Sequence, residues 1–453
     1  MKRPLLVPVL LVAICTQLGV HAFAQKSDTT SVSMTVQQAI DYAMKNQSRV
    51  QNAELDEQIA RHKAQEILGL GFPQINGSLD VKDFLEIPTS LIPGQFFGGP
   101  AGSYIPVKFG TKYNASAGID ASQLLFSSDY MVGLQSMKVY ADLMQKATSR
   151  TRTETAAAVQ KAYYTVLVNG EHQILLDTLL ARFEKLKTDT RIIFDNGFVE
   201  KIDVDRSELA YNNLKVMQES VARYKSLSEA LLKYQMGLEY GVNLILTDKL
   251  ETLKLDTVMP LSETFDYTQR IEFSLLQDQK RMSELQLKKD RLSYVPNLVM
   301  YGSLSTQAQR SAFDFTDTKK GWYPISLVGV RMGVPIFDGM QKHHRIQQSK
   351  IGLAKSENDM RFLKSSLELD YNASRIAMTN GISTLKLRKQ SQDLALEVYT
   401  TARAKYDQGV GSSIELLQAE SALNEAQNNY FNALQDLLMS KVDFDKASGK
   451  LTK

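Results

Sequence analysis

The sequence predicts a mixed but mainly α-helical fold of long antiparallel coiled-coil hairpins with four β-strands per chain, and three observations carry that prediction. The first is a duplicated motif. FDNGFVEKIDVDRSE, Phe194 to Glu208, returns without a gap as YDQGVGSSIELLQAE, Tyr406 to Glu420. This pairs Gly197 with Gly409, Asp195 with Asp407, Asp203 with Glu415 and Glu208 with Glu420, all at an offset of 212. The second is the placement of the 11 prolines: none lies between Pro106 and Pro260 and none follows Pro335, which leaves room for very long helices. The third is hydrophobic periodicity, helical over most of the chain but dropping to two in four short segments. The chain then divides into a leader, residues 1–24, and two structural repeats, 25–260 and 261–453.

A chain of 453 residues is long enough for two or three ordinary domains. Aromatic residues make up only 8%, however, and Ala, Gln, Lys, Glu and Leu abound, which suits coiled coil better than a thick core. The formal charge of +3 includes Lys2 and Arg3, so the rest of the chain is close to neutral. It carries no basic block of the kind that binds nucleic acid. Lys2 and Arg3, an apolar run from Leu5 to Val20 and the small-x-small site Ala22-Phe23-Ala24 read as a secretory signal cleaved before Gln25. Cys15, the one cysteine, lies in that run behind Ile14 rather than a small residue, which argues against a lipid-acceptor site. Once the leader is removed no thiol, disulfide or cysteine metal ligand remains. Beyond it, no apolar run approaches the roughly 20 residues of a spanning helix, so any membrane crossing must use strands.

In chain order, Val36, Ala39, Ile40, Ala43, Leu55, Ile59 and Ile67 predict one helix from Thr35 to the break at Gly69–Pro73. Ile75, Gly77, Leu79 and Val81 then alternate with polar residues as a first strand, and Tyr113, Ala115, Ala117, Ile119 and Ala121 do so as a second. The Pro-, Gly- and Phe-rich stretch from Leu85 to Lys112 is expected to be a surface loop. Ser127, Ser128 and Asp129 offer caps for a helix reaching Asp195, whose 65 or so residues would span about 100 Å. Leu176, Leu179, Phe183, Leu186, Thr190 and Ile193 form a heptad seam on it. Past the Gly197 tip, Met217, Val221, Tyr224, Leu227, Leu231, Tyr234 and Leu238 are expected to be the inward stripe of the returning helix, ended by Gly237 and Gly241. Val242 to Pro260 reads as an irregular connector.

The second repeat follows the same plan. A helix from near Phe265 to Tyr294 is followed by strands on Leu298, Met300, Gly302 and Leu304, and on Val328, Val330, Met332 and Val334. A proline-free helix then runs to Lys405, and beyond the Gly409 tip Leu423, Ala426, Tyr430, Ala433 and Leu437 stripe the last helix.

Four strands with one apolar and one polar face cannot span lipid alone, because an open sheet leaves edge N–H and C=O groups unpaired in hydrocarbon. Closed barrels need about eight strands or more, which three copies would exceed and two would just reach. The alternative is a soluble sheet covered by helices. Helices of about 100 Å argue against it, since a compact sheet offers nothing to pack along that length.

The order helix, strand, strand, long helix, Gly-tip hairpin, given twice behind a signal peptide, resembles the TolC-like outer-membrane efflux proteins (outer membrane factors). So do MTVQQAIDYAMKNQSRVQNAE near the N-terminus, the strand entries FPQINGSL and VPNLVMYGSL, and both tips. The resemblance covers essentially the whole chain after the leader. It implies a homotrimer whose strands share a 12-stranded transmembrane β-barrel in the outer membrane, continued by a periplasmic helical tunnel. It also implies a passive duct for export, with outer-membrane lipid, a periplasmic adaptor (membrane fusion) protein and an inner-membrane pump as partners. The family's acidic residue six places after the tip glycine is here Asp203 and Glu415, which three copies would gather into a periplasmic constriction. Tyr406 keeps the family's tyrosine. Gly411 and Gln418 stand where some members have an Arg and a second Asp, so a Tyr–Arg closing latch is not expected. Gly197, Phe198, Gly409 and Val410 are the candidate adaptor-contact tips.

No catalytic, cofactor-binding or metal constellation is found in the sequence, and no enzymatic activity is expected. His343 and His344 are adjacent, so on a helix they point about 100° apart and form no paired ligand site; His62 and His172 stand alone. There is no phosphate-binding loop. Competing readings are a duct for type I protein secretion, a non-conducting structural or receptor protein of the envelope, and a surface-anchored enzyme.

Overall fold

The computed structural model describes residues 31–250 and 265–451. The expected leader, residues 1–24, and the end of the expected connector, from 251 to 260, lie outside the described residues.

The chain opens with strand β1 (Ser31–Met34) and helices α1 (Val36–Asn46) and α2 (Ser48–Gly69). Thr35 and Gln38 form a reciprocal capping box at the start of α1, which fixes where the helix begins. The single helix expected here is broken at Gln47, which adopts an extended conformation (φ −73°, ψ 123°) and caps α2 with its own side chain. Sequence periodicity continues across the break, so the pattern alone does not reveal it.

Strand β2 (Gln74–Asp83) follows, then β3 (Thr89–Pro93), β4 (Tyr104–Lys108) and β5 (Tyr113–Phe126). The expected surface loop instead contains an antiparallel hairpin, β3 with β4, formed although prolines stand at 93, 100 and 106. Helix α3 (Ser128–Asp195) is 68 residues long, about 100 Å, capped by the Ser127 hydroxyl accepting from the Tyr130 N–H. Helix α4 (Lys201–Met236) returns along it, and Gly237 at φ 70° closes it. A Cβ on Gly237 would stand 2.6 Å from the Asn46 carbonyl, so glycine also permits close approach to the α1–α2 break. The connector expected to be irregular contains β6 (Asn243–Leu246), which pairs in parallel with β1. Four residues of mixed character gave no period to detect.

Helix α5 (Ile271–Leu292), strands β7 (Asn297–Arg310) and β8 (Tyr323–Gly333), and helices α6 (Gln341–Asp407) and α7 (Ser413–Ala447) complete the chain. Element order therefore runs helix, strand, strand, long helix, return helix twice, with β3 and β4 inserted in the first pass.

The two long hairpins pack α3 against α4 and α6 against α7, and α3 also meets α7. On α3 the expected seam is buried from Leu176 to Thr190. On α4 the expected stripe holds only in its first part. Tyr224, Leu227 and Tyr234 are 63, 66 and 64% exposed, and the inward face is instead Leu214, Ser228, Leu232 and Met236. Ser207, Leu214, Val221 and Ser228 fall seven apart, so small serines occupy seam positions and conceal them in the sequence. Leu423, Ala433 and Leu437 of α7 are buried as expected.

Where β1, β6, α1, α3, α4 and α7 converge, Tyr163, Leu232, Met236, Val442 and Ala43 form a dry core. Tyr163 donates its hydroxyl to the Met34 carbonyl at 3.0 Å, and the Asp248 carboxylate accepts from the Val36 N–H at 2.7 Å. Nearby, the buried Arg270 guanidinium binds Glu272 at 3.0 Å, Asp370 at 3.2 Å and the Ala447 carbonyl at 2.9 Å, tying α5 and α6 to the end of α7.

At the other end the four long strands form one antiparallel sheet in the order β2-β5-β7-β8. Its register sets Leu79 beside Ala117, Ala117 beside Thr306, Ile119 beside Leu304 and Gly302 beside Val328, so the apolar residues share one face. Asp80, Ser116 and Gln307 share the other. Leu79 and Val328 are each 75% exposed, so no helix covers the apolar face, unlike a soluble sheet. Among the described residues, strands β2 and β8 each have one partner, leaving two open edges.

Candidate functional site

The two hairpin tips lie side by side at the end of the molecule far from the sheet. Each is closed by the same hydrogen-bond pattern. Gly197 (φ 80°) donates to the Phe194 carbonyl at 2.8 Å and Phe198 to Ile193 at 3.1 Å; Gly409 (φ 74°) donates to Tyr406 and Val410 to Lys405, both at 3.0 Å. This is the Schellman arrangement, in which a left-handed glycine lets two backbone N–H groups satisfy the last carbonyls of the helix. The following helices begin differently: Ser412 caps α7 by accepting from the Glu415 N–H at 3.1 Å, while Glu200 makes no side-chain cap on α4.

A cleft of about 640 Å³ separates the tips, lined by Phe198, Asp203, Arg206, Tyr406, Gly409, Ser413 and neighbours. Of the residues singled out in the sequence, the structure thus brings Phe198, Asp203, Tyr406 and Gly409 to one cleft. Phe198 and Val410 are 82 and 77% exposed, a pair of apolar side chains held out at the very tips. Asp203 has a half-closed position with 17% side-chain exposure, and Arg206 approaches its Oδ1 at 3.4 Å. The Ser413 hydroxyl donates to the same Oδ1, a bond from the second hairpin to the first. Glu415 is far more open, at 53% side-chain exposure, and meets Lys405 at 3.5 Å.

Gly411 has a structural reason of its own. Its N–H donates to the Lys405 carbonyl at 3.0 Å, and a Cβ there would stand 2.9 Å from the Tyr406 nitrogen. Backbone occupies the place where a side chain would begin. Tyr406 packs on the apolar cluster of Leu186, Tyr399, Ala402, Leu416, Ala419 and Leu423 that joins α3, α6 and α7 behind the tips. Beside it lies Glu420, buried, with its carboxyl pushed up to about 7 by burial and drawn back only by the Arg403 charge.

Sequence reasoning missed Ser413 and Arg206 as partners of Asp203, and Glu420 as a buried acid. Ser413 lay inside the duplicated motif, opposite Lys201 in the first copy, and Glu420 opposite Glu208. Divergence from Lys201 was the available signal for Ser413; Glu420 matches its counterpart, so the duplication gave no signal for it. Among the described residues no group of His, Cys, Asp or Glu could hold a metal ion, and no helix is long and apolar enough to cross a membrane. His172 stacks on Phe431 at 4.7 Å, and burial lowers its pKa, so it is a packing residue.

Residues 279–450 match the family model described as outer membrane efflux protein. The chain is 22% identical to the outer membrane protein TolC of Vibrio cholerae over 344 residues, 74% of this chain and 77% of that protein. It is 24% identical to the alkaline protease secretion protein AprF of Pseudomonas aeruginosa over 174 residues, 37% of this chain and 34% of that one. The fold superposes on the CmeC outer membrane channel of Campylobacter jejuni with a TM-score of 0.71 at 14% identity, covering 92% of this chain and 85% of the other. The family match over residues 279–450, the TolC relative across three quarters of the chain and the shared fold make this chain similar to the TolC-like outer-membrane efflux proteins.

Proposed function

We propose that three copies of this chain form a passive duct through the outer membrane and periplasm, fed by a periplasmic adaptor and an inner-membrane pump that supplies the energy. The observation that carries this reading is the sheet. Its apolar face is bare across four strands and its two edges are open, and lipid tolerates such a sheet only when further strands close it. Three copies supply about 12 strands, enough for a barrel with a water-filled lumen. The outward stripe of Tyr224, Leu227, Leu231 and Tyr234 on α4 supports the same reading, since contiguous exposed apolar surface marks an interaction site. The two repeats of the chain, 25–260 and 261–453, act as duplicated staves of that wall.

The tips are the closed periplasmic end. Glu415, Asp203 and Tyr406 form the constriction, with Glu415 the more open carboxylate and Asp203 held to the second hairpin by Ser413. Gly197, Phe198, Gly409 and Val410 present the contact surface for the adaptor, on the strength of the exposed Phe198 and Val410 side chains. The chain itself carries out no catalysis. A second reading, a duct for protein secretion, is favoured by the partial likeness to the alkaline protease secretion protein. Both readings are of one duct and differ in cargo.

Planar-bilayer recording of the purified protein tests the proposal. Small cation-selective steps are expected, with selectivity reduced in Glu415→Ala. Silence of the wild type and of a Asp203→Ala, Glu415→Ala double variant would overturn the duct reading in favour of a structural envelope protein.

A further inference from the structure

The duplicated tip motif ends in a carboxylate in both halves, and the two have opposite surroundings. Glu208 on α4 is exposed, whereas Glu420 on α7 is only 4% exposed. Leu416, Glu420 and Leu423 share one face of α7, so the carboxylate enters the cluster made with Leu186 of α3 and Tyr399 and Ala402 of α6. Its Oε2 is sealed from solvent and makes no hydrogen bond. The charged and titratable groups facing this place are few. From α6 they are Tyr399, Arg403 and Asp407, and from α3 Arg182. Arg403 is already engaged by Asp407 at 3.0 Å, and none of them bonds the Glu420 carboxylate.

An ionised carboxylate buried without a partner is strongly disfavoured, whereas the neutral acid is tolerated. Because Oε2 is closed off within a single chain, no neighbouring copy or adaptor can reach that oxygen unless α7 first moves. We infer that Glu420 is a proton-operated tie in the second hairpin: neutral, it lets the start of α7 stay seated between α3 and α6, and ionised, it drives those turns outward to water. Glu420 lies about two helical turns from Ser413, so unseating α7 also draws Ser413 from Asp203 and loosens the contact between the tips. This deepens the proposed gate at the tips and rests on that reading for its functional consequence.

The sign follows from burial. The carboxyl is pushed up from 4.5 to about 7. The seated state is therefore fully favoured below pH 4.5, loses about tenfold per pH unit above it, and levels off beyond about pH 7. Between pH 5.5 and 8 the ratio of seated to unseated α7 should fall about 30-fold.

Spin labels on the exposed positions Lys185→Cys and Gln418→Cys of the full chain, diluted with unlabelled protein, report the α3–α7 spacing. The wild type should gain a long-distance population as pH rises from 5.5 to 8, and both Glu420→Gln and Glu420→Leu should stay at the short distance throughout. The half-buried His172 is present in every variant, so its titration cannot produce the difference. A wild type with no pH response, or a Glu420→Gln variant that follows the wild-type curve, would overturn the inference. Conductance of the same samples separates it from the gate reading: α7 movement through Glu420 without pH-dependent conductance upholds the tie and contradicts the gate.

Discussion

Ser413→Ala tests how the tips are held closed. Among the described residues the Ser413 hydroxyl is the one group reaching from the second hairpin to the Asp203 carboxylate, and the Gly411 backbone leaves no room for a longer latch nearby. A hydrogen bond to an ionised carboxylate contributes about 1.5 to 3 kcal/mol. Arg206 remains at 3.4 Å from the same oxygen and Asp203 keeps 17% side-chain exposure, so the loss belongs at the lower end, about 1.5 kcal/mol. That corresponds to about a tenfold shift towards separated tips in each chain. Single-channel recording should show open events of the Ser413→Ala protein at about ten times the wild-type frequency or more. Ser413→Thr, which keeps the hydroxyl, should stay near wild type. Closed times in Ser413→Ala equal to those of the wild type would refute the reasoning and move closure to contacts elsewhere.

Gly411→Arg should open the tips rather than latch them, because its Cβ meets backbone at 2.9 Å; reactivity of a cysteine introduced at the neighbouring Ser412 would rise with it. Gly197→Ala places a side chain at φ 80° and should destabilise the first tip by about 1 to 2 kcal/mol, read as faster amide exchange at 194–200. Arg270→Ala leaves the half-buried Glu272 without its cation and should lower stability by about 2 kcal/mol in denaturant unfolding. Burial acts to raise the Glu272 pKa, but the Arg270 hydrogen bond and charge overcome it and hold it low. Its stabilising contribution is therefore present above the ordinary Glu range and lost as pH falls below it, and that acid-side loss should vanish in Arg270→Ala. Leu227→Glu should leave a single chain folded, since the residue is 66% exposed, but abolish oligomers on native gels.

The long helices and long strands were legible because each repeats one period over many residues: the Leu176–Thr190 seam is buried as the pattern required, and the Ile75–Val81 alternation falls in β2, whose register sets those residues on one face of the sheet. Short elements were not. The strands at Ser31–Met34 and Asn243–Leu246 stabilise each other across 212 positions, a pairing no local window contains. On α4 the sequence pointed to the wrong face because Ser207 and Ser228 fill seam positions while Tyr224, Leu227 and Tyr234 face outward. At the tips the duplication located Asp203 and Glu415, but which carboxylate is tied and which is open depends on Ser413 and Lys405. Those contacts join segments that are close only after both hairpins have formed.

The central claim is that the open edges β2 and β8 of different copies pair to close one barrel. Cysteine pairs placed along β2, from Ile75 to Val81, and β8, from Ile325 to Arg331, and oxidised in outer membranes measure this directly. The account predicts that alternate pairs, those sharing a face, give covalent dimers and trimers of the chain, with trimer as the limit. Cross-links confined to single chains, or none at any register, would contradict it.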